Sequence, residues 1–76
     1  MKRYDLRHLG DKFLNCMGEI LKNSAHGETM IFMFEMGDFS AVQKSADLVE
    51  GLNSTLLSSI RYNQVDWMVV AKKGRG

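Results

Sequence analysis

Apolar residues along this chain follow two periodicities, and the alternation between them predicts six elements. Phe13, Leu14, Met17, Ile20 and Leu21 recur at steps of three and four, which lines one face of a helix from about Lys12 to Asn23. Phe39, Val42, Ala46 and Val49 form a second helical stripe, stopped at Gly51 by a left-handed glycine exit. Between them, Met30-Ile31-Phe32-Met33-Phe34 shows no alternation. Such a run marks a strand covered on both faces, or one whose outer face meets a partner, and it is expected to be the central strand. Arg3 to Leu6 predicts a short first strand, and Leu56 to Tyr62 with Val65 to Lys72 flank Asn63-Gln64 as a closing hairpin.

The chain contains no proline, so glycines and caps must separate the elements. Gly10 permits a sharp turn, Asp11 is expected to cap the first helix, His26-Gly27 ends it, and Gly37-Asp38 resets the chain before the second. The resulting order is β-α-β-α-β-β. Right-handed crossovers make the connected strands parallel and place both helices on one side of a four-stranded mixed sheet, an α+β two-layer sandwich. The other side of that sheet carries apolar residues from the central strand and from the last, which offers Trp67 and Met68. A core position explains any single methionine, but the whole methionine and aromatic stripe fits a docking surface better.

Composition narrows the chemistry. Residues 1–76 make one domain, close to the lower size limit for folding without disulfides or metals. Cys16 is the sole cysteine, so no intramolecular disulfide can form and no iron–sulfur cluster on four thiolates can be built, which suits a reducing cytoplasm. The longest purely apolar runs, Met30 to Phe34 and Trp67 to Ala71, have five residues each, against the ~20 that span a bilayer. With Met1-Lys2-Arg3-Tyr4-Asp5 polar where a signal peptide is apolar, a soluble cytoplasmic protein is expected. His8 and His26 have no metal-ligand spacing, and the glycines are too isolated to form a phosphate loop or a dinucleotide fingerprint.

Charge is uneven although the net is only +1. Residues 1 to 12 hold four Lys/Arg against two Asp, residues 13 to 60 two against six, and residues 61 to 76 four against one. Lys2, Arg3 and Arg7 open the chain, and Lys72, Lys73 and Arg75 close it. Near-neutral balance and the lack of a basic motif interleaved with aromatics argue against nucleic-acid binding. Arg7, His8 and Lys12 surround the start of the first helix, where free amides attract anions, and Arg61 and Lys72 join them if the last strands neighbour the first. An ordinary capped helix with nearby surface cations accounts for the same residues.

Several features coincide along the chain: Asp5-Leu6-Arg7 then Leu9 before the first helix, Gly27-Glu28 entering the second strand, Asp38 opening the second helix, and the closing hairpin. In these the chain resembles the small sulfur carriers of the TusA/SirA type along nearly its whole length. That family carries Cys-Pro-x-Pro at the start of the first helix, where this chain has Asp11, Lys12, Phe13 and Leu14. A thiolate attacks because sulfur is polarizable and partly ionised near neutral pH, whereas an aspartate there only accepts hydrogen bonds or repels anions. The resemblance therefore implies the fold without the transfer chemistry, unless a sulfur-relay role survives by another route. Cys16, further along the helix beside the apolar stripe, suits inert packing better.

In size, in lack of cysteine ligands and in the final Lys-Lys-Gly segment, the chain is also similar to the short protein that replaces the E-type subunit of NADH-quinone oxidoreductase (complex I) in some bacteria. That likeness implies a non-catalytic accessory or electron-input subunit, partnered by other subunits of a redox complex. Any redox cofactor of its own is then an organic one, FAD or FMN, and neither a metal nor an iron–sulfur cluster. A flavin phosphate is expected by Arg7, His8 and Lys12, with Phe39, Tyr62 and Trp67 as the wall for the ring.

Overall fold

The computed structural model describes residues 1–74; Arg75, part of the basic closing segment, lies outside the described residues. Strand β1 (Lys2–Asp5) leads through a 3-10 segment (Arg7–Lys12) into helix α1 (Phe13–Asn23). Strand β2 (Thr29–Glu35), helix α2 (Phe39–Gly51) and strands β3 (Thr55–Arg61) and β4 (Asp66–Lys72) complete the expected order. The sheet runs β1-β2-β4-β3, with β1 parallel to β2 and β4 antiparallel to both β2 and β3. The β2-α2-β3 crossover thus passes over β4, which returns to fill the gap it leaves.

One apolar layer holds the sandwich together. Phe13, Met17 and Leu21 of α1 and Val49 of α2 meet Met30, Phe32 and Phe34 of β2 and Val69 and Ala71 of β4, all fully or nearly fully buried. Phe13 stacks on Phe34 with ring centroids 4.1 Å apart, and Tyr4 stacks on Phe32 at 5.5 Å. Gly18 lies in the seam between the helices, facing Leu48. On the strands only alternate residues reach this layer, so the unbroken apolar run of β2 conceals a two-residue period: Met30, Phe32 and Phe34 face inward while Ile31 and Met33 face outward, half-buried. Of the two arrangements expected for that run, cover on both faces is absent among the described residues.

Local capping differs from expectation at two points. Asp11 does not cap α1, because after the kink at Gly10, with φ 56° and ψ −130°, the 3-10 segment continues through Asp11 and leaves it one residue before the capping position, which Lys12 occupies with no side-chain bond. Gly51 does not provide the exit of α2 either. It stays within the helix, and Asn53 adopts the left-handed conformation at φ 55°, a role to which asparagine is well suited. Asp38 does cap α2, accepting from the Ser40 amide at 2.8 Å.

The opposite end of α1 is closed by the last residues described. Lys73 Nζ donates to the Leu21 carbonyl at 2.6 Å, placing a cation at the negative end of the helix, while its backbone bridges Gly27 and Glu28. Lys2 pairs with Glu28 at 3.2 Å, which raises the lysine pKa. Two of the terminal cations thus do structural work at one end of the sheet. No helix of the described residues is long and apolar enough to cross a membrane.

Candidate functional site

At the other end of the sheet, Arg7 ties three segments together. Just past buried Leu6, its side chain folds back on Asp5, Nε donating to Oδ1 at 2.9 Å and Nη2 to Oδ2 at 2.7 Å. The fork is completed by Nη1, which donates to Asp66 Oδ2 at 3.1 Å. Asp66, only 5% exposed, also accepts from Asn63 Nδ2 at 2.8 Å. Asn63 Oδ1 in turn accepts the amides of Val65 and Asp66, which shapes the turn between β3 and β4. Bidentate pairing with a guanidinium favours the ionised acid, so Arg7 holds the Asp5 carboxyl down to about 2. Asp5 first, and Asp66 second, raise the arginine's pKa reciprocally.

Beside this cluster a cavity of about 240 Å³ opens on the side of the sheet away from the helices, lined by Arg3, Tyr4, Asp5, Arg7, Ile31, Met33 and Tyr62. Its apolar floor continues across the sheet. Cross-strand register places Ile31 beside Val70, and Met33 beside Met68, which lies beside Ile60. No described element covers this row, and Ile60 and Tyr62 are each about half exposed, at 49% and 54%. The β3 edge next to it is broken by a bulge between Leu56 and Ser58, a feature that disfavours further strand pairing.

Of the six residues expected to hold a flavin, Arg7 and Tyr62 share this cavity. His8 and Lys12 lie exposed on the 3-10 segment. Phe39 and Trp67 meet each other edge to face at 6.3 Å, and the Trp67 indole donates to Ser59 Oγ at 2.7 Å on the helix side of the sheet. Arg61 and Lys72 do not join Arg7, although Asp66 of β4 does: register puts Lys72 beside Thr29, at the opposite end of β4, and Arg61 beside Trp67, on the helix side of the sheet. Arg3, Tyr4, Asp5, Ile31 and Met33 complete the cavity and were not expected there. The pairing of Asp5 with Arg7 was signalled by their spacing of two; the contribution of Asp66, 59 positions away, carried no local signal.

A second cavity, of about 260 Å³, lies between the start of α1 and the start of α2, with Asp11, Phe13, Leu14, Glu35, Asp38 and Lys44 among its lining residues. Position 11, where the sulfur-carrier pattern has its cysteine, thus opens on a small cleft with an oxygen acid. The thiol of half-buried Cys16 is not in its lining. No group of three or more His, Cys, Asp or Glu among the described residues is placed to hold a metal ion.

The family model described as the putative E chain of NADH-ubiquinone oxidoreductase matches residues 1–73. The solution structure of HP1264 from Helicobacter pylori is similar to this chain, with 43% sequence identity and a TM-score of 0.74, covering 99% of this chain and 100% of that one. No curated protein matches. Matched over almost its full length, the chain belongs to the NADH-ubiquinone oxidoreductase E-chain family.

Proposed function

We propose that this chain is a non-catalytic accessory or electron-input subunit of an NADH-quinone oxidoreductase complex, and that it docks through the uncovered face of its sheet. Family membership supports the complex. The observation that carries the docking mode is the row Ile31, Met33, Met68, Val70 and Ile60, half-buried to exposed, which no described element covers although the chain has two helices with which to cover a sheet. Leaving such a row in water forgoes roughly 25 cal/mol for every Å² of apolar surface, a loss that a partner recovers. Methionine side chains adapt to an opposing surface without much strain.

The cavity at Arg7 is the place for a flavin, if this subunit holds one. Ile31, Met33 and the Tyr62 ring offer an apolar and aromatic wall, and Arg3 supplies a guanidinium with no side-chain partner among the described residues. At about 240 Å³ the notch falls short of the ~300–1,000 Å³ of ordinary ligand pockets, so it accommodates part of a ring system, with the remainder closed over by the docked partner. A bound flavin supplies one- and two-electron transfer, and the residues here bind and orient it. Arg7, already committed to two carboxylates, positions the notch, and Arg3 is the better phosphate ligand.

Titration of FAD or FMN, followed by flavin fluorescence, tests the cofactor. Arg3→Ala and Tyr62→Ala should weaken binding several-fold, and Trp67→Ala, on the other side of the sheet, should not. Fluorescence that stays unchanged at high protein concentration rejects the cofactor and leaves the docking surface in place.

A further inference from the structure

The uncovered face has an electrical polarity as well as an apolar stripe. On one half of the face Lys72, beside Thr29, lies at the end and Arg3, beside Ile31, lies further in, on the near rim of the cavity and two residues from Asp5, giving a charge of +2. On the other are Asp5, beside Met33, and Glu35 and Asp66, which face each other across β2 and β4; three carboxylates against the single guanidinium of Arg7 leave −2. The remaining cations of the basic end are spent elsewhere, Lys2 on Glu28 and Lys73 on the Leu21 carbonyl. From Lys72 to Asp66 is six residues, or roughly 20 Å along a strand.

A face with opposite charges at its two ends and an apolar row between them is complementary to itself. We infer that the isolated protein pairs with a second copy through this face, the two sheets stacked with their strands antiparallel. A two-fold axis lying in the interface, across the strands, brings the Arg3 and Lys72 end of each copy over the Asp5 and Glu35 end of the other. The stripe of Ile31, Met33, Met68 and Val70 then meets its own counterpart at the ~10 Å spacing of packed sheets. An axis along the strands would instead set like charges against each other, so charge selects the first arrangement.

The dimer is a weak one. Strands ~4.8 Å apart, three of seven residues and β1 of four, at ~3.4 Å per residue span a plane of roughly 400 Å², so the two copies together stay below the ~1,200 Å² at which stable interfaces begin. Weak pairing suits a face that has a second duty. This inference rests on the same uncovered surface as the docking reading, and it makes the dimer a form that dissociates before docking.

Sedimentation equilibrium on the full chain, from micromolar to millimolar at low ionic strength, tests it. The average mass should rise toward twice the monomer mass and fall back as salt is added. Arg3→Glu with Lys72→Glu makes both ends of the face acidic, and Glu35→Lys weakens the acidic end; each variant should self-associate at least about 10-fold more weakly. An equimolar mixture of the two variants should recover association, because each then presents the charge the other lacks. A chain that stays monomeric to millimolar concentration overturns the inference, and so does a dimer indifferent to these substitutions or a mixture that fails to recover. None of these results touches the docking reading, which is measured by retention of the enzyme complex.

Discussion

Arg7 and Asp66 lie 59 positions apart and meet through a 3.1 Å hydrogen bond from Nη1 to Oδ2, fastening the segment after β1 to the turn between β3 and β4. Because Asp66 is buried and Arg7 is partly exposed, the pair joins the end of the core to the uncovered face. The cavity beside it owes its shape to this link. Arg7 holds one wall and Tyr62, on the turn that Asn63 and Asp66 organise, forms another.

Acid should loosen this corner within a definable window. The folded-state pKa of Asp5 is depressed from 3.8 to about 2, so its contribution to stability is fully present above the unfolded value and is lost as pH falls through about 2. Asp5→Asn should therefore lower stability across the neutral region, where that contribution is present, and flatten the acid limb of the curve between those two values. Trp67 fluorescence during acid titration of both proteins measures it.

Two glycines should respond in opposite directions to alanine. At Gly18 an added methyl meets Leu48 at 3.7 Å, an ordinary contact, so Gly18→Ala should stabilise by about 0.5–1 kcal/mol through helix propensity. At Gly74, where φ is +87°, a methyl collides with the His26 ring. Gly74→Ala should destabilise, and His26→Ala in the same chain should relieve the collision but not the backbone strain. Urea unfolding of the three variants beside the wild-type chain separates these contributions.

The stacked pair Phe13 and Phe34 should dominate the core. Phe13→Ala should cost about 3–5 kcal/mol, much of the stability of so small a domain, and should lower the urea midpoint without changing the order of the elements.

Cys16 should be dispensable. It is half-buried on α1, outside the cleft at position 11, so Cys16→Ser should preserve both folding and association with the complex. Mass spectrometry after incubation with a cysteine desulfurase should show no added sulfur on the wild-type chain; a persulfide at Cys16 would revive sulfur relay.

How far the sequence was legible follows the range of each interaction. The stripe Phe13, Met17, Leu21 and the Asp38 cap are local, set by residues within one or two turns, and both were readable. Asp11 misled because its capping role depends on where the chain kinks, and Gly10 kinks it too early. Asn53 replaced Gly51 as the exit because the helix continues through Gly51, with Leu48 and Leu52 both packed on the core. The β4 strand enters between β2 and β3 through pairing that is 30 or more residues distant on the β2 side, so the separation of Lys72 from Arg7 was hidden. The same holds for the site: Arg7 and Tyr62 come together only once Asp66 is buried.

Retention of this chain by its respiratory complex is the most direct measurement. Met68→Lys and Ile31→Lys, placed in the uncovered row, should reduce co-purification with the NADH-quinone oxidoreductase subunits about 10-fold or more while the isolated variants keep wild-type circular dichroism. Lys substitution at the exposed Asn15 of α1, on the helix side, should leave it unchanged. Full retention of the sheet-face variants, or loss confined to the Asn15 variant, would contradict docking through the open face.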